Sequence, residues 1–365
     1  MKYHEGTVFA FAFLTASLAL SFPVKAQELP VGDGNVSTGA KVGYVFACNQ
    51  NFRGGGARHT GDWFHGDTWD PTAKPHVQGA VVWPDAAFSM SQSGSTMEVQ
   101  GNSLPVGQAT GNFPIAKEDP AYQYDTNPNE IKPTTLSFGI PVQPVKASKV
   151  GCLSMGMIGF TITGVPFYNA LDAAGRDAAA HEVQDLCDGH PQGKGQYHYH
   201  SSSPCLPGAA SNKIVGWALD GYPILGMKDG AGKLITNADL DACHGRDENV
   251  RIGGREYDYA YRLSAEYPYT LGCFTGKVSD ETKRSIGASM GPSGPKGDKG
   301  AGNNQGQGLG GGQGSPPQEA VDACAALNQG DACSFIGRGG NPRSGTCGTP
   351  PKMKRGGMVC MPKRG

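Results

Sequence analysis

The tetrapeptide Tyr197-His-Tyr-His200 holds the residue types best suited to chemistry in this chain. If it forms a β-strand, successive side chains point to opposite faces, so His198 and His200 share one face and the two tyrosines share the other. The two imidazoles are then roughly 6–7 Å apart along the strand. Imidazoles at this spacing can bind one ion, because histidine is the commonest side-chain ligand of transition metals. The tetrapeptide therefore predicts a metal site.

Further histidines lie close enough in the sequence to complete such a site. Four of the nine histidines fall between residues 181 and 200. His190 is the expected third ligand and His181 a fourth. Imidazole suits copper and zinc, so the expected cofactor is a copper or zinc ion. The predicted metal ligands are His181, His190, His198 and His200.

Nearby aspartates and tyrosines are predicted to support or line the site. A carboxylate that accepts a ring N–H from a ligand histidine fixes the tautomer and the orientation of that ring. The tyrosines could flank a redox centre. The predicted supporting residues are Tyr197, Tyr199, Asp185, Asp188 and Asp220. Two alternatives use the same residues: a metal-free catalytic or ligand site, and a structural network of hydrogen bonds.

A second copy of this layout follows downstream. The pattern Asp-x-Cys-x-Gly occupies residues 185–189 and is followed by Tyr-x-Tyr at 197–199. The same two patterns recur at 241–245 and 259–261. We interpret the repeat as an internal duplication of a disulfide-linked hairpin.

The duplication makes two further predictions. Each copy contains two cysteines, which predicts the disulfides Cys187–Cys205 and Cys243–Cys273. In the second copy, Ala260 and Arg262 stand where the first copy has His198 and His200. Only the first copy can therefore bind a metal through a His-x-His pair.

Several stretches resemble the YHYH domain family of secreted bacterial-type proteins. The matching stretches are Gly-Val-Pro-Phe-Tyr-Asn-Ala at 164–170, Glu-Val-Gln-Asp-Leu-Cys-Asp-Gly-His-Pro at 182–191, the tetrapeptide at 197–200, Gly-Trp-Ala-Leu-Asp-Gly-Tyr-Pro-Ile at 216–224, and Tyr-Pro-Tyr-Thr-Leu-Gly-Cys-Phe at 267–274. The resemblance covers about residues 150–276. It implies family membership and no particular activity.

The pattern of apolar residues predicts a mostly β fold. Segments such as 154–162 and 214–219 are short, apolar and bounded by Gly, Pro or Asp, as strands are. We expect a single antiparallel β-sandwich-like domain over residues 40–274 with few short helices. The Ala-rich stretch 170–186 is the expected helix.

The composition changes after this domain. Residues 287–318 are rich in Gly, Pro and Gln and predict a flexible linker. Residues 319–365 hold four cysteines and few large apolar side chains, which predicts a small module held by two disulfides. A zinc site is the alternative use of these cysteines.

The chain has the features of an exported protein. Residues 1–26 read as a signal peptide, and an even count of ten cysteines indicates disulfides. We expect a secreted or periplasmic protein with no membrane span, and we find no nucleic-acid signature. Residues 275–365 carry 12 basic and 6 acidic side chains, a net charge of +6, so this basic tail could contact an anionic surface.

These observations together predict a secreted or periplasmic protein that binds copper or zinc through its His-x-His strand. One alternative is an extracytoplasmic metal-dependent enzyme, such as an oxidoreductase. Another is a structural or surface-adhesion protein that acts through its Gly-rich basic tail.

Overall fold

A computed structural model describes residues 28–52, 54–57, 59–290, 320, 323–324, 327–336, 342–349 and 358–362. The chain divides into two compact units, residues 1–294 and 295–365. The predicted signal peptide lies outside the described residues, as does the predicted linker beyond residue 290. Among the described residues, no helix combines the length and the apolar character needed to cross a membrane.

The first part of the larger unit consists of short strands in small sheets. These strands are β1 Leu29–Pro30, β2 Val36–Ser37, β3 Val45–Phe46, β4 Phe64–His65, β5 Thr68–Trp69, β6 Val81–Val82, β7 Phe88–Ser93, β8 Thr96–Gly101, β9 Ala109–Thr110, β10 Leu136–Pro141 and β11 Lys146–Gly151. β7, β8 and β10 form an antiparallel sheet in the order β10-β8-β7. Val99 of β8 is completely buried.

An eight-stranded sheet, called here the central sheet, carries the tetrapeptide. Its strands are β12 Met157–Thr161, β13 Pro166–Tyr168, β14 Gly189–Pro191, β15 Tyr197–Tyr199, β16 Ile214–Ala218, β17 Pro223–Leu225, β18 Gly245–Ile252 and β19 Arg255–Arg262. Their order is β14-β15-β13-β12-β16-β17-β19-β18. The mostly β fold with few helices is confirmed. The sheet is mixed rather than purely antiparallel, because β13 pairs with β15, and β17 with β19, in parallel.

The central sheet is built from two equivalent halves. The first half spans residues 157–200 and the second half residues 214–262, and the halves meet where β12 pairs with β16. Each half contains an antiparallel pair, a parallel pair and a terminal antiparallel hairpin. The internal duplication is thus confirmed, and it extends beyond the hairpins to four strands in each half.

An aspartate closes the turn that begins each terminal hairpin. Asp185 accepts hydrogen bonds from the backbone N–H groups two and four residues later, at 2.9 and 3.2 Å. Asp241 does the same at 2.8 and 3.1 Å. Both predicted disulfides are present, Cys187–Cys205 and Cys243–Cys273.

The expected helix in residues 170–186 is wrong in length. Only the single turn α1, Ala178–His181, forms there, with Asp177 as its N-cap. Upstream, Asp172 accepts the N–H groups of Ala174 and Arg176 at 2.8 Å each and holds a turn instead. The side-chain hydrogen bonds of aspartate compete with helix formation, so they outweigh the helix preference of the alanines.

Elements near the end of the larger unit were not predicted. Strand β20, Phe274–Gly276, pairs with β11. Helix α2, Asp280–Met290, follows and overlaps the start of the predicted linker at residue 287. Thr282 of α2 donates a hydrogen bond to the carbonyl of Gly139 on β10, at 2.6 Å.

The smaller unit contains a three-stranded antiparallel sheet. Its strands are β21 Ala332–Ile336, β22 Pro342–Gly348 and β23 Val359–Pro362. The disulfides Cys324–Cys347 and Cys333–Cys360 link this unit internally. All four of its cysteines are therefore oxidised, and none offers the thiolate that a zinc site requires.

Buried tyrosines of the larger unit donate hydrogen bonds to aspartates, of which Asp177, Asp185 and Asp220 are themselves buried. The pairs are Tyr197–Asp185 at 2.9 Å, Tyr259–Asp241 at 3.1 Å, Tyr261–Asp220 at 2.6 Å and Tyr269–Asp177 at 2.6 Å. Burial raises the pKa of Asp177 and of Asp220 to about 6. These pairs satisfy polar groups that would otherwise be costly to bury.

Substitution of Asp220 by Asn tests the contribution of one such pair. Asp220 accepts hydrogen bonds from Tyr261 Oη, from Gly276 N at 2.8 Å and from Tyr222 N at 3.2 Å. An amide NH₂ would face one of these donors, so we expect Asp220→Asn to lower the free energy of unfolding by about 1–3 kcal/mol. Urea denaturation measures this loss. The exposed control Asp67→Asn should change it by less than about 0.5 kcal/mol, and equal losses in both variants would contradict the account.

Candidate metal centre

Three of the four predicted ligand histidines meet at one point. β15 directs His198 and His200 to the same face, where their Nε2 atoms are 3.0 Å apart. His190 lies opposite His198 in the register of β14 and β15. One ligand nitrogen from each of the three lies within 4.8 Å of the others. A metal bound about 2.0–2.1 Å from each imidazole nitrogen fits a cluster of this size after small side-chain adjustments.

The backbone orients two of the rings. His200 Nδ1 lies 2.6 Å from the carbonyl oxygen of Asn169, and His198 Nδ1 lies 3.1 Å from that of Gln196. Since a carbonyl only accepts, each Nδ1 carries the proton and each Nε2 presents its lone pair to the cluster. The ring of Tyr168 stacks on His198 with 3.8 Å between centroids and restricts its rotation.

A glutamate that sequence analysis missed completes the cluster. Glu182 Oε2 lies 3.3 Å from His190 Nε2 and 3.5 Å from His200 Nε2. Within the described part of the chain, neither this oxygen nor either ring nitrogen of His190 has a hydrogen-bond partner. Buried polar atoms are rarely left unpaired. The cluster therefore has the donor set, and the unsatisfied atoms, of a site for a cation.

The position of Glu182 depends on a buried lysine. Lys74 is 4% exposed, and its ammonium group donates to the carbonyls of Ala179 and Glu182, at 2.5 and 3.1 Å, and to the side chain of Gln184. Burial lowers the pKa of Lys74 to about 8. These three bonds fix the turn that carries Glu182. The sequence feature that could have identified Glu182 is its place in the stretch 182–191, which also contains His190.

Burial determines the protonation of the cluster. It lowers the pKa of His190 and His198 well below the usual range, helped by the neighbouring histidines, and it lowers the pKa of His200 to about 4. Burial also raises the pKa of Glu182 well above its usual range, and Asp172 and Asp125 add to this shift. Neutral imidazoles are the form that binds a metal, and a bound cation would favour the ionised carboxylate.

His181 is not brought into the cluster. Its Nε2 lies 2.8 Å from Asp33 Oδ2, and its ring packs against Phe64 with centroids 4.8 Å apart. His181 ends α1, whereas Glu182 already has an extended backbone. The two adjacent side chains therefore leave the turn in different directions, and the second one reaches the histidines.

The predicted supporting residues lie elsewhere. Tyr197 and Tyr199 occupy the face of β15 opposite the histidines, where the Tyr199 hydroxyl donates to Gln108 at 3.0 Å and the Tyr197 hydroxyl donates to Asp185. Asp220 accepts a hydrogen bond from the Tyr261 hydroxyl in the second half of the central sheet. The backbone carbonyls described above take the orienting role expected of aspartates.

Asp188 has an unusual backbone conformation in its turn. Its φ of 56° lies in the left-handed region, as does the φ of 68° at His244, the equivalent position of the second half. Burial raises the pKa of Asp188 to about 6, and the charge of Lys74 opposes that shift. The charge of Lys74 thus acts on Asp188 as it does on Glu182.

A cavity of about 570 Å³ opens beside the cluster. The side chains of Asn127, Met155, Tyr168 and Gln192 line it together with Glu182 and the three histidines. Metal sites that act on a small molecule keep one coordination position open to such a space, whereas purely structural sites are closed.

Comparison with known proteins agrees with the resemblance noted in the sequence. No curated protein and no solved structure is significantly similar to this chain. Residues 137–234 match the family model described as YHYH protein. The matched range includes Glu182 and all three clustered histidines, and it ends before β18 and β19. The chain therefore contains a YHYH family domain, and the histidine cluster lies inside it.

Proposed function

We propose that this chain is an extracytoplasmic metal-binding protein whose ligands are His190, His198, His200 and Glu182. The observation that carries the proposal is the convergence of three buried imidazoles on a buried carboxylate oxygen that has no hydrogen-bond partner among the described residues. Removing such a carboxylate from water is costly unless a cation compensates it. A bound divalent metal supplies that cation.

The donor set supports copper or zinc as the ion. Three imidazole nitrogens and one carboxylate oxygen form a mixed set that suits both metals. The five disulfides of the chain support a location outside the cytoplasm, because disulfides persist in oxidising compartments.

The cavity supports a second candidate, a metal-dependent enzyme such as an oxidoreductase. A small molecule in this space would lie next to the metal and to the amide side chains of Asn127 and Gln192. The carrier and the enzyme share the same ligands, so the experiments below test the part of the proposal that both require.

Removal of the paired histidines tests the site. We expect the parent protein to retain one equivalent of copper or zinc after loading and desalting, measured by elemental analysis. The double variant His198→Ala/His200→Ala should retain less than about a tenth of that amount, because it loses two of the four ligands. The control His65→Ala removes a half-exposed histidine and should leave binding unchanged. Circular dichroism verifies the fold, and a folded double variant that binds like the parent would refute the proposal.

Glu182→Gln tests the carboxylate separately. The substitution keeps the volume of the side chain and removes its charge, so we expect the metal affinity to fall at least about tenfold. The melting temperature of the metal-free protein should stay equal or rise, since a poorly solvated carboxyl group disappears. Competition with a chromophoric chelator gives the affinity. An unchanged affinity would show that Glu182 is not a ligand.

A further inference from the structure

The second half of the central sheet has its own buried cation at the place equivalent to the metal centre. In the first half, His190 pairs with His198 across the terminal hairpin; in the second half, Arg246 pairs with Ala260. Arg262 follows Tyr261 as His200 follows Tyr199. Each of the three clustered histidines thus has a defined counterpart.

Backbone contacts confirm this equivalence. The isolated bridge Leu171↔Asp177 of the first half corresponds to Lys228↔Leu234 of the second. In each half, the backbone carbonyl two residues before the bridge contacts a side chain of the terminal hairpin or the residue just after it: His200 in the first half and Arg262 in the second. The carbonyl of Asn169 lies 2.6 Å from His200 Nδ1, and that of Gly226 lies 3.5 Å from Arg262 Nη1. The imidazole and the guanidinium are therefore anchored to the same position of the repeated fold.

The guanidinium of Arg262 is buried, and each of its three nitrogens donates a hydrogen bond. Arg262 is 1% exposed. Its Nε donates to Glu248 Oε1 at 2.6 Å, and its Nη2 donates to Glu248 Oε2. Its Nη1 donates to Asn212 Oδ1 at 2.6 Å and to the carbonyl of Lys228 at 2.8 Å. The second half therefore places a cation against a carboxylate, as the first half would with a metal.

We propose that the Arg262 guanidinium takes the place of a metal ion in the second half, paired with Glu248. The inference rests on the proposed function for the first half. Arginine keeps its charge at every relevant pH and cannot dissociate. The chain then holds one exchangeable metal ion and one covalently fixed cation. Its metal stoichiometry is one, and the second half stays ordered regardless of the metal supply.

Converting the second site to the first tests this inference. The triple variant Arg246→His/Ala260→His/Arg262→His retains Glu248 and recreates three histidines beside a carboxylate. We expect it to hold two equivalents of zinc by elemental analysis, against one for the parent. Adding His198→Ala/His200→Ala should reduce the two to one. A folded triple variant that holds only one equivalent would overturn the inference, whereas a parent without metal would overturn the proposed function instead.

A second variant covers the case in which the triple variant does not fold. Arg262→Ala leaves Glu248 with Arg246 alone, whose Nη2 lies 3.3 Å from Glu248 Oε2, so the melting temperature should fall by at least about 5 °C. Millimolar methylguanidinium should restore part of this loss in Arg262→Ala, and it should have no such effect on the exposed control Arg251→Ala. Absence of the loss, or a loss that methylguanidinium does not reverse, would show that the position is not a cation site.

Discussion

Both faces of strand β15 are buried, one with tyrosines and the other with histidines. The central sheet depends on a register that keeps these two sets of side chains apart. On one face Tyr197 and Tyr199 are fully buried in the core, which requires partners for both hydroxyls. On the other face His198 and His200 are almost as deeply buried, which keeps them neutral. Because side chains alternate along a strand, a shift of one residue in register would exchange the two sets. The disulfide Cys187–Cys205 and the Asp185 turn hold the neighbouring strand against such a shift.

The duplicated fold presents two arrangements of charge on one backbone. In both halves a carboxylate that is mostly shielded from water meets nitrogen-containing side chains. In the second half, Arg262 neutralises Glu248 within the chain itself. In the first half, the neutral histidines cannot neutralise an ionised Glu182. Burial favours the protonated form of Glu182 in the absence of a metal, so an ionised Glu182 in the first half requires a cation from outside the chain.

Much of the site could be predicted from the sequence because it depends on short-range rules. The common face of His198 and His200 follows from strand periodicity alone. The disulfides Cys187–Cys205 and Cys243–Cys273 follow from the repeated spacing of cysteines around the hairpins, and the first of them brings His190 near the histidine pair. The mostly β architecture follows from the short apolar segments.

The remaining features depend on contacts that are distant in sequence. Glu182 lies in the turn after α1, which is held by hydrogen bonds from Lys74, more than a hundred residues upstream. His181 was predicted as a ligand because it is close in sequence to the other histidines. Its ring instead lies within hydrogen-bonding distance of Asp33. Asp185 and Asp220 were predicted to accept hydrogen bonds from histidines. They accept them instead from tyrosine hydroxyls and from backbone N–H groups in turns. No local pattern in the sequence predicts these long-range side-chain contacts.

Anomalous X-ray diffraction from crystals of the copper- or zinc-loaded protein tests the central claim most directly. The account predicts one strong anomalous peak about 2.0–2.2 Å from the Nε2 atoms of His198 and His200, from a ring nitrogen of His190 and from a carboxylate oxygen of Glu182. A loaded crystal with no peak among these four residues, or with its metal bound elsewhere on the chain, would contradict it.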